Sequence, residues 1–129
     1  MRSTLVLAFS RPYCRTISLD GYIMPAYVVA SMAIHDPETY RKYTERTPPL
    51  VKRHGGRFLT RGDEVTTAEG EPFTDRMVIL EFPSKQHVEA WLGDPDYVAA
   101  AEFRHAASTC RLLVQEGVSN PENPDPKVK

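Results

Sequence analysis

The chain has 129 residues, of which 41% are hydrophobic and 26% are charged, and its formal net charge is −1. This is the length and composition of one ordinary globular domain, with enough chain to form a hydrophobic core. The near-neutral charge and the scattered lysines and arginines argue against binding to nucleic acids or to anionic membranes.

Cysteine occurs only at Cys14 and Cys110, and neither belongs to a CxxC or Cys/His spacing of the kind that binds zinc. Two isolated thiols are consistent with a reducing compartment, where disulfides are rare. We therefore predict a cytoplasmic protein without a metal or an organic cofactor, in which Cys110 is a small core residue.

Both ends of the chain are predicted to lie outside the fold. Residues 1–24 carry arginines among serines and threonines, so one interpretation is a transit segment; the other is a start assigned too early, with Met24 as the natural beginning. Residues 119–129 are polar and proline-rich, which predicts a disordered tail. The domain is accordingly predicted to span residues 25–118.

The predicted domain opens with a strand over residues 26–34, which is apolar on both sides. Because both faces need cover, we expect this strand in the centre of its sheet. Asp36 and Pro37 then predict a helix start, with a side-chain acceptor at the N-cap and proline at the first helical position. The apolar stripe of this helix comprises Tyr40, Tyr43, Thr47, Leu50, Val51 and His54.

Two dipeptides punctuate this helix. Pro48-Pro49 predicts a kink or a broken turn, because proline removes a helical hydrogen bond. Gly55-Gly56 predicts the helix end, because glycine adopts the left-handed cap without strain.

The remaining elements are predicted in chain order as a strand over 57–61, a ribbon over 64–67, a strand over 76–82, a helix from Ser84 to Gly93, a helix restarted by Asp94-Pro95, and a strand over 111–116. The buried stripe of the last two helical segments is predicted as Val88, Trp91, Leu92, Tyr97, Val98, Ala101 and His105.

The order βαββαβ predicts an α+β fold of ferredoxin-like type, with a four-stranded antiparallel sheet and its helices on one face. Val29, Ala33, Met77 and Ile79 make the opposite face apolar as well. Since the helices cover one face only, we predict a homodimer in which two sheets pack together about a two-fold axis.

Several groups of residues across 26–117 together resemble a known family. They are Asp36-Pro37 with Tyr40 and Tyr43, Gly55-Gly56-Arg57-Phe58-Leu59 with Arg61-Gly62, Arg76 before Val78-Ile79-Leu80-Glu81-Phe82-Pro83-Ser84, and Trp91, Asp94-Pro95, Tyr97 and Arg104. The chain resembles the family known as domain of unknown function 1330, in the dimeric α/β-barrel superfamily. The resemblance implies the ferredoxin-like fold and dimerisation. It brings no settled activity, although the superfamily also includes cofactor-free monooxygenases and small isomerases.

Glu81 departs from the pattern of its strand, because it shares the side of Met77 and Ile79. A buried carboxylate needs a cation or strong donors, and we predict Arg61 as its partner, with Arg76 as the second choice. One interpretation is a structural ion pair; the other is a general base in a pocket. We favour the ion pair, because structural pairs perturb carboxylates as readily as active sites do.

The candidates for ligand binding are Tyr40, Tyr43, Arg61, Trp91, Tyr97 and Arg104. They are interpreted either as the lining of a cleft between sheet and helices that binds a small acidic or aromatic molecule, or as ordinary core with hydroxyls at its rim. Aromatic residues at helical spacing favour the core interpretation. Arg104 is different, because a guanidinium on a half-buried stripe needs an anion, either Glu81 or a ligand.

Two histidines complete the set of catalytic candidates. His35 precedes the helix cap, and His54 lies at the helix C-terminus, where the helix dipole alone favours a histidine. No two histidines have the i, i+4 spacing of a helical metal site.

Three functions are compatible with these residues. The leading hypothesis is a homodimeric domain that binds a small molecule. The second is a cofactor-free enzyme of monooxygenase or isomerase type with Glu81 or a histidine as base. The third is a structural dimer without a ligand.

Overall fold

A computed structural model describes residues 24–62 and 64–117. In this part of the chain the elements are β1 (Ala26–Ile34), α1 (Pro37–Arg53), β2 (Arg57–Thr60), β3 (Arg76–Phe82), α2 (Lys85–Gly93), α3 (Pro95–Ala107) and β4 (Ser108–Glu116). The segments 1–23 and 119–129, for which we predict an extension and a tail, lie outside the described residues. None of the described helices is both long enough and apolar enough to cross a membrane.

The strands form one antiparallel sheet in the order β2-β3-β1-β4. The prediction that β1 is central is therefore confirmed, and so is the ferredoxin-like arrangement. The helices pack on the side of the sheet that carries Val28, Ala30, Val78 and Leu80, all of which are buried. Alternation along β1 and β3 is what directs these side chains toward the helices.

The core under the helices is closed by a stack of aromatic rings. The ring of Trp91 on α2 lies 5.1 Å from that of Phe82 on β3 and 4.4 Å from that of Tyr97 on α3, measured between centroids. All three side chains are almost completely buried. Burial of such large apolar surfaces fixes α2 and α3 on the sheet.

The start of α1 follows the prediction, since the side chain of Asp36 accepts a hydrogen bond from the Thr39 amide at 3.2 Å and Pro37 is the first helical residue. The expectation of a broken turn at Pro48-Pro49 is wrong, because the helix continues through both prolines. The hydroxyl of Thr47 donates to the Tyr43 carbonyl at 2.8 Å in this turn. Pro48 and Pro49 have no N–H to donate to the carbonyls of Thr44 and Glu45, four residues earlier. Thr44 is half-exposed and Glu45 is exposed, so water can reach this turn.

Glycines end α1 as predicted. Gly55 has a φ of +80° and donates its amide to the Lys52 carbonyl at 3.0 Å, while the Gly56 amide donates to the Val51 carbonyl at 2.9 Å. Gly56 also has a packing role, because a Cβ atom there would lie 2.5 Å from the ring of Phe82. Only glycine therefore fits where α1 passes over β3.

Three predicted boundaries or elements are wrong. Strand β2 ends at Thr60 instead of residue 61, and β4 begins at Ser108 instead of residue 111, because Ser108 pairs with the end of β1 at Ile34. No ribbon forms over the described residues 64–67. There the Thr67 hydroxyl accepts a hydrogen bond from the Phe73 amide at 2.8 Å, so a side chain closes the loop instead of a strand ladder.

The stripe of α3 also differs from the prediction. Tyr97 and Ala101 are buried as expected, but Val98 is 49% exposed and His105 is exposed. The remaining buried positions of the helix are Ala100, Arg104 and Ala107. These follow Tyr97 and Ala101 at intervals of three and four residues, so the buried face includes the guanidinium of Arg104 and leaves Val98 in solvent.

The second face of the sheet carries no helix among the described residues. Val29, Met77 and Ile79 are half-buried there, Ala33 is exposed, and Leu113 on β4 is 52% exposed. The prediction of an apolar second face is confirmed by these positions.

Candidate functional site

A cavity of about 570 Å³ lies between the helix-facing side of the sheet and the helices. This volume is in the range of sites that bind small molecules. Its floor is formed by side chains from the three longer strands, which are Ala30, Met32, Val78, Leu80 and Leu112. The small side chain of Ala30, on the central strand, leaves room in the middle of this floor.

The walls of the cavity come from all three helices. Tyr40, Tyr43 and Thr47 follow one another by three and four residues, so α1 presents them on one side. Trp91 is the lining residue from α2, and Arg104 is the one from α3.

Four arginines line the cavity, and none of its described lining residues is acidic. Arg104 is 6% exposed and Arg76 is half-buried, whereas Arg41 and Arg61 are exposed and lie at the rim. The guanidinium of Arg61 stacks over the ring of Phe58 at 4.2 Å. The cavity is therefore positively charged at its wall and at its mouth.

Arg104 contacts phenol groups in place of a carboxylate. Its Cζ lies 5.4 Å from the centroid of the Tyr43 ring, and its Nη2 lies 3.5 Å from the Tyr97 hydroxyl oxygen. Burial opposes the charge, but the electrostatic interactions with Tyr97, Tyr43 and Cys110 outweigh it and hold the pKa of Arg104 above its ordinary value. The guanidinium is therefore a fixed cation in the wall.

Three buried N–H groups of the cavity have no acceptor within the described part of the protein. They are Nε of Arg104, Nε of Arg76 and Nε1 of Trp91. Buried donors are nearly always satisfied in folded proteins, because leaving one without an acceptor costs free energy. All three belong to residues that line the cavity.

The tyrosines of the cavity are neutral hydrogen-bonding groups. The Tyr40 hydroxyl donates to Sδ of Met32 at 2.8 Å, and the hydroxyl oxygens of Tyr43 and Tyr97 are 2.8 Å apart. Burial raises the pKa of both Tyr40 and Tyr43 above the ordinary value, and for Tyr40 it does so although Arg76 acts in the opposite direction. Neither phenol is therefore suited to act as a base at neutral pH.

Glu81 lies on the other face of the sheet, opposite the cavity. It is 1% exposed, and Nη2 and Nε of Arg57 donate to its Oε1 at 3.0 and 3.1 Å. The predicted partners Arg61 and Arg76 are wrong. Arg57 stands directly across from Glu81 in the β2–β3 register, whereas Arg61 lies beyond the end of β2.

The two catalytic histidine candidates also lie outside the cavity. His35 is exposed after β1, and Nε2 of His54 lies 2.7 Å from Oδ2 of Asp94, at the junction of α2 and α3. In the part of the chain that the structure describes, no cluster of three or more histidine, cysteine, aspartate or glutamate side chains is arranged to hold a metal ion.

The structure thus brings together five of the six predicted ligand-binding residues: Tyr40, Tyr43, Arg61, Trp91 and Arg104 line the cavity. Tyr97 stands behind the wall, in contact with Tyr43 and Arg104. Sequence reasoning missed Arg76 as a lining residue. It shares the side of Val78 and Leu80 on β3, so the alternation of the strand was the signal that could have found it.

The model of the family described as "Domain of unknown function (DUF1330)" matches residues 25–118. The chain belongs to this family. No curated protein sequence matches it. Membership of DUF1330 agrees with the four-stranded sheet and three helices of the described residues, and it carries no activity with it.

Solved structures similar to this DUF1330 member share its fold. One is a protein of unknown function from Rhodopseudomonas palustris, with 23% identity, coverage of 72% of this chain and 82% of that chain, and a TM-score of 0.63. Another is a dimeric protein of unknown function with a ferredoxin-like fold from Bacteroides fragilis, with 13% identity, 72% and 96% coverage, and a TM-score of 0.51. A third is a mutant of SnoaB, a cofactor-independent oxygenase from Streptomyces nogalater, with 16% identity, 72% and 91% coverage, and a TM-score of 0.51. At these identities the likeness shows the fold alone.

Proposed function

We propose that this protein is a homodimeric domain that binds a small acidic or aromatic molecule in the cavity between the sheet and α1. The observation that carries the proposal is the position of Arg104, a buried cation that lines an apolar cavity with no acidic side chain among its described lining residues. Buried charges in proteins are normally paired, because desolvation of an unpaired ion is costly. A bound anion provides the missing partner.

The apolar part of the cavity supports the same function. Its floor of aliphatic side chains and its aromatic wall favour a ligand with a hydrophobic body, while the cations at the wall and rim favour a negative charge. Arg41 and Arg61 are exposed at the mouth, where they attract anions from solution.

The homodimer is supported by the second face of the sheet. Val29, Met77, Ile79 and Leu113 form a contiguous apolar surface, with Ile79 and Leu113 on the two sides of Val29 in the register. Monomeric proteins rarely leave such a surface in water. The similar protein from Bacteroides fragilis is described as dimeric, and sheet-to-sheet packing of two copies covers this face.

The enzyme hypothesis receives less support. A general base has to lie within hydrogen-bonding distance of the proton that it removes. Glu81 faces away from the cavity, and neither His35 nor His54 lines it. Among the described residues, the titratable side chains that line it are arginines and tyrosines. The likeness to the SnoaB mutant concerns the fold, so binding is the function that the geometry favours.

The proposal is tested by filling the cavity. Ala30→Leu adds three carbon atoms to the floor, whereas Ala99→Leu adds the same atoms at an exposed position of α3. We expect small aromatic acids to raise the melting temperature of the wild type and of Ala99→Leu, and to leave that of Ala30→Leu unchanged. Circular dichroism establishes that both variants are folded.

Two results would contradict the proposal. One is a folded Ala30→Leu variant that responds to the acids as the wild type does. The other is a wild-type protein whose melting temperature and NMR spectrum are unaffected by every acidic and neutral aromatic compound of a diverse set.

A further inference from the structure

We infer that the ligand is an organic carboxylate rich in hydrogen-bond acceptors, whose carboxylate is bound by Arg104 and whose second acceptor oxygen is bound by Arg76 and Tyr40. This inference rests on the proposed function and specifies the chemical class of the molecule that occupies the cavity.

The first argument is the surplus of donors. Nε–H of Arg104, Nε–H of Arg76 and Nε1–H of Trp91 are buried without an acceptor in the described part of the chain. An ionised carboxylate accepts several hydrogen bonds and donates none. It therefore complements the guanidinium groups of Arg104 and Arg76, which line the cavity, whereas an amine introduces further donors.

The second argument is the sign of the charge at the wall. Four arginines line the cavity, and no described side chain that lines it is acidic. A cationic ligand such as an amine would meet like charges there, whereas a carboxylate meets opposite ones.

The third argument places the carboxylate at Arg104. This is the most buried of the four lining arginines, with 6% of its surface exposed. The Tyr43 ring and the Tyr97 hydroxyl hold its guanidinium in place. A charge-assisted hydrogen bond to a buried, positioned guanidinium is stronger than one at the rim, where water screens Arg41 and Arg61.

The fourth argument places a second acceptor oxygen near Arg76. The Arg76 guanidinium acts on the Tyr40 hydroxyl, whose pKa it lowers against the effect of burial, and that hydroxyl donates to Sδ of Met32 at 2.8 Å. A thioether sulfur is a weak acceptor, so the Tyr40 hydroxyl gains by turning to an oxygen atom of a ligand. Arg76 stands opposite Met32 in the β1–β3 register, which places this second position over the start of β3.

The body of the ligand lies on the sheet. The Trp91 ring packs against the rings of Phe82 and Tyr97, with centroids at 5.1 and 4.4 Å, so part of its surface is covered by the protein itself. The ligand therefore contacts the aliphatic floor of Ala30, Val78, Leu80 and Leu112. A flat ring or a short hydrocarbon chain fits this surface.

The experiment compares matched probes on the full chain by isothermal titration calorimetry. Benzoate and benzamide differ in charge, and isophthalate and 4-carboxyphenylacetate add a second carboxylate to benzoate. The variants are Arg104→Gln and Arg76→Gln, and the matched control is Arg46→Gln, an exposed arginine of α1 that does not line the cavity. Circular dichroism shows which variants are folded, and Arg104→Met, which also removes the charge, replaces Arg104→Gln if the latter does not fold.

We expect benzoate to bind at least about tenfold more tightly than benzamide, as is typical when a charged hydrogen bond is lost. At least one of the dicarboxylates is expected to exceed benzoate by a similar factor. Arg104→Gln is expected to abolish the preference for benzoate over benzamide. Arg76→Gln is expected to abolish the preference for the dicarboxylate over benzoate, and Arg46→Gln to leave both preferences unchanged.

The inference is overturned if benzamide binds as tightly as benzoate, if Arg46→Gln acts like Arg104→Gln, or if inorganic phosphate displaces benzoate at equal concentration. In each of these cases the cavity still binds a small molecule, so the proposed function stands. If neither the acids nor the amide bind, the proposed function itself is contradicted.

Discussion

Nε2 of His54 lies 2.7 Å from Oδ2 of Asp94, and this contact joins the C-terminus of α1 to the junction of α2 and α3. The same carboxylate caps α3 by accepting the Asp96 amide at 2.9 Å, and it also accepts from the Arg53 guanidinium at 2.8 Å. One side chain therefore satisfies a helix terminus and links two helices that enclose the cavity.

This arrangement predicts an acid-sensitive component of stability. The hydrogen bond with His54 is the main cause that lowers the pKa of Asp94 from 3.8 to about 2. Because the folded value lies below the ordinary one, the ionised form stabilises the fold. The contribution is complete above about pH 4 and is lost as the pH falls toward about 2.

Asp94→Asn removes this component, and Asp96→Asn serves as the control because its carboxylate is 68% exposed and contacts Arg53 at 3.0 Å at the same junction. We expect the melting temperature of Asp94→Asn to be lower than that of the wild type at pH 6 and to approach it at pH 2. Thermal unfolding followed by circular dichroism between pH 6 and pH 2 measures this. If the melting temperatures of the wild type and of Asp94→Asn differed by the same amount at every pH, the prediction would be contradicted.

The close approach of α1 to β3 predicts a strong effect at Gly56. In Gly56→Ala the new Cβ atom meets the buried ring of Phe82 at 2.5 Å. We expect the free energy of unfolding to fall by about 1–3 kcal/mol, as in other overpacked cores.

Gly93→Ala is the matched control. Gly93 lies at the end of α2, and a Cβ atom added there would have no other residue's atoms within 4 Å beyond its neighbours in the helix. That variant is expected to gain up to about 1 kcal/mol from helix propensity. Urea unfolding measures the free energy of unfolding of both variants. Equal values for Gly56→Ala and Gly93→Ala would contradict the prediction.

Because Glu81 lies on the face of the sheet away from the cavity, its contributions to stability and to ligand binding are predicted to be separable. Glu81→Gln removes the charge that Arg57 contacts at 3.0 Å on the other face of the sheet. We expect a loss of about 1–3 kcal/mol in the free energy of unfolding, as is usual for hydrogen bonds to charged groups. The affinity for benzoate stays as in the wild type, because Glu81 does not line the cavity. A variant that is stable but no longer binds would instead favour the hypothesis of Glu81 as a functional base.

The apolar face of the sheet predicts the oligomeric state. Leu113→Glu places a charge on this face, and Val98→Glu places one on the solvent side of α3, where the exposure is similar at 49% against 52%. In sedimentation velocity we expect the wild type and Val98→Glu to be dimers and Leu113→Glu to be a monomer. A wild type that sediments as a monomer at micromolar concentration would contradict the homodimer.

Features encoded by neighbouring residues were predictable. The pairs Asp36-Pro37 and Asp94-Pro95 mark helix starts because the capping acceptor and the proline act within one turn. The central position of the strand over 26–34 was also predictable. Alternation within this one segment shows that both of its faces are apolar, and such a strand needs cover on both sides.

Features that depend on register were not predictable in this way. The partner of Glu81 is set by the pairing of β2 with β3, in which an irregularity lies between Phe58 and Thr60. A sequence pattern gives the side on which a residue lies but not the residue opposite it, so the prediction names Arg61 and Arg76 and does not include Arg57. The role of Arg104 was indicated by its place on a buried stripe. That its neighbours are phenols depends on how α1 and α3 pack, which no local pattern records.

Trp91 is the only tryptophan of the chain, and its indole N–H is buried at the cavity with no acceptor in the described residues. The fluorescence of an indole depends on the hydrogen bonds and charges around the ring, so the emission of Trp91 reports on changes in the cavity. Occupancy of the site is thus measurable by intrinsic fluorescence on unlabelled material, and a titration with candidate metabolites needs no modification of the chain.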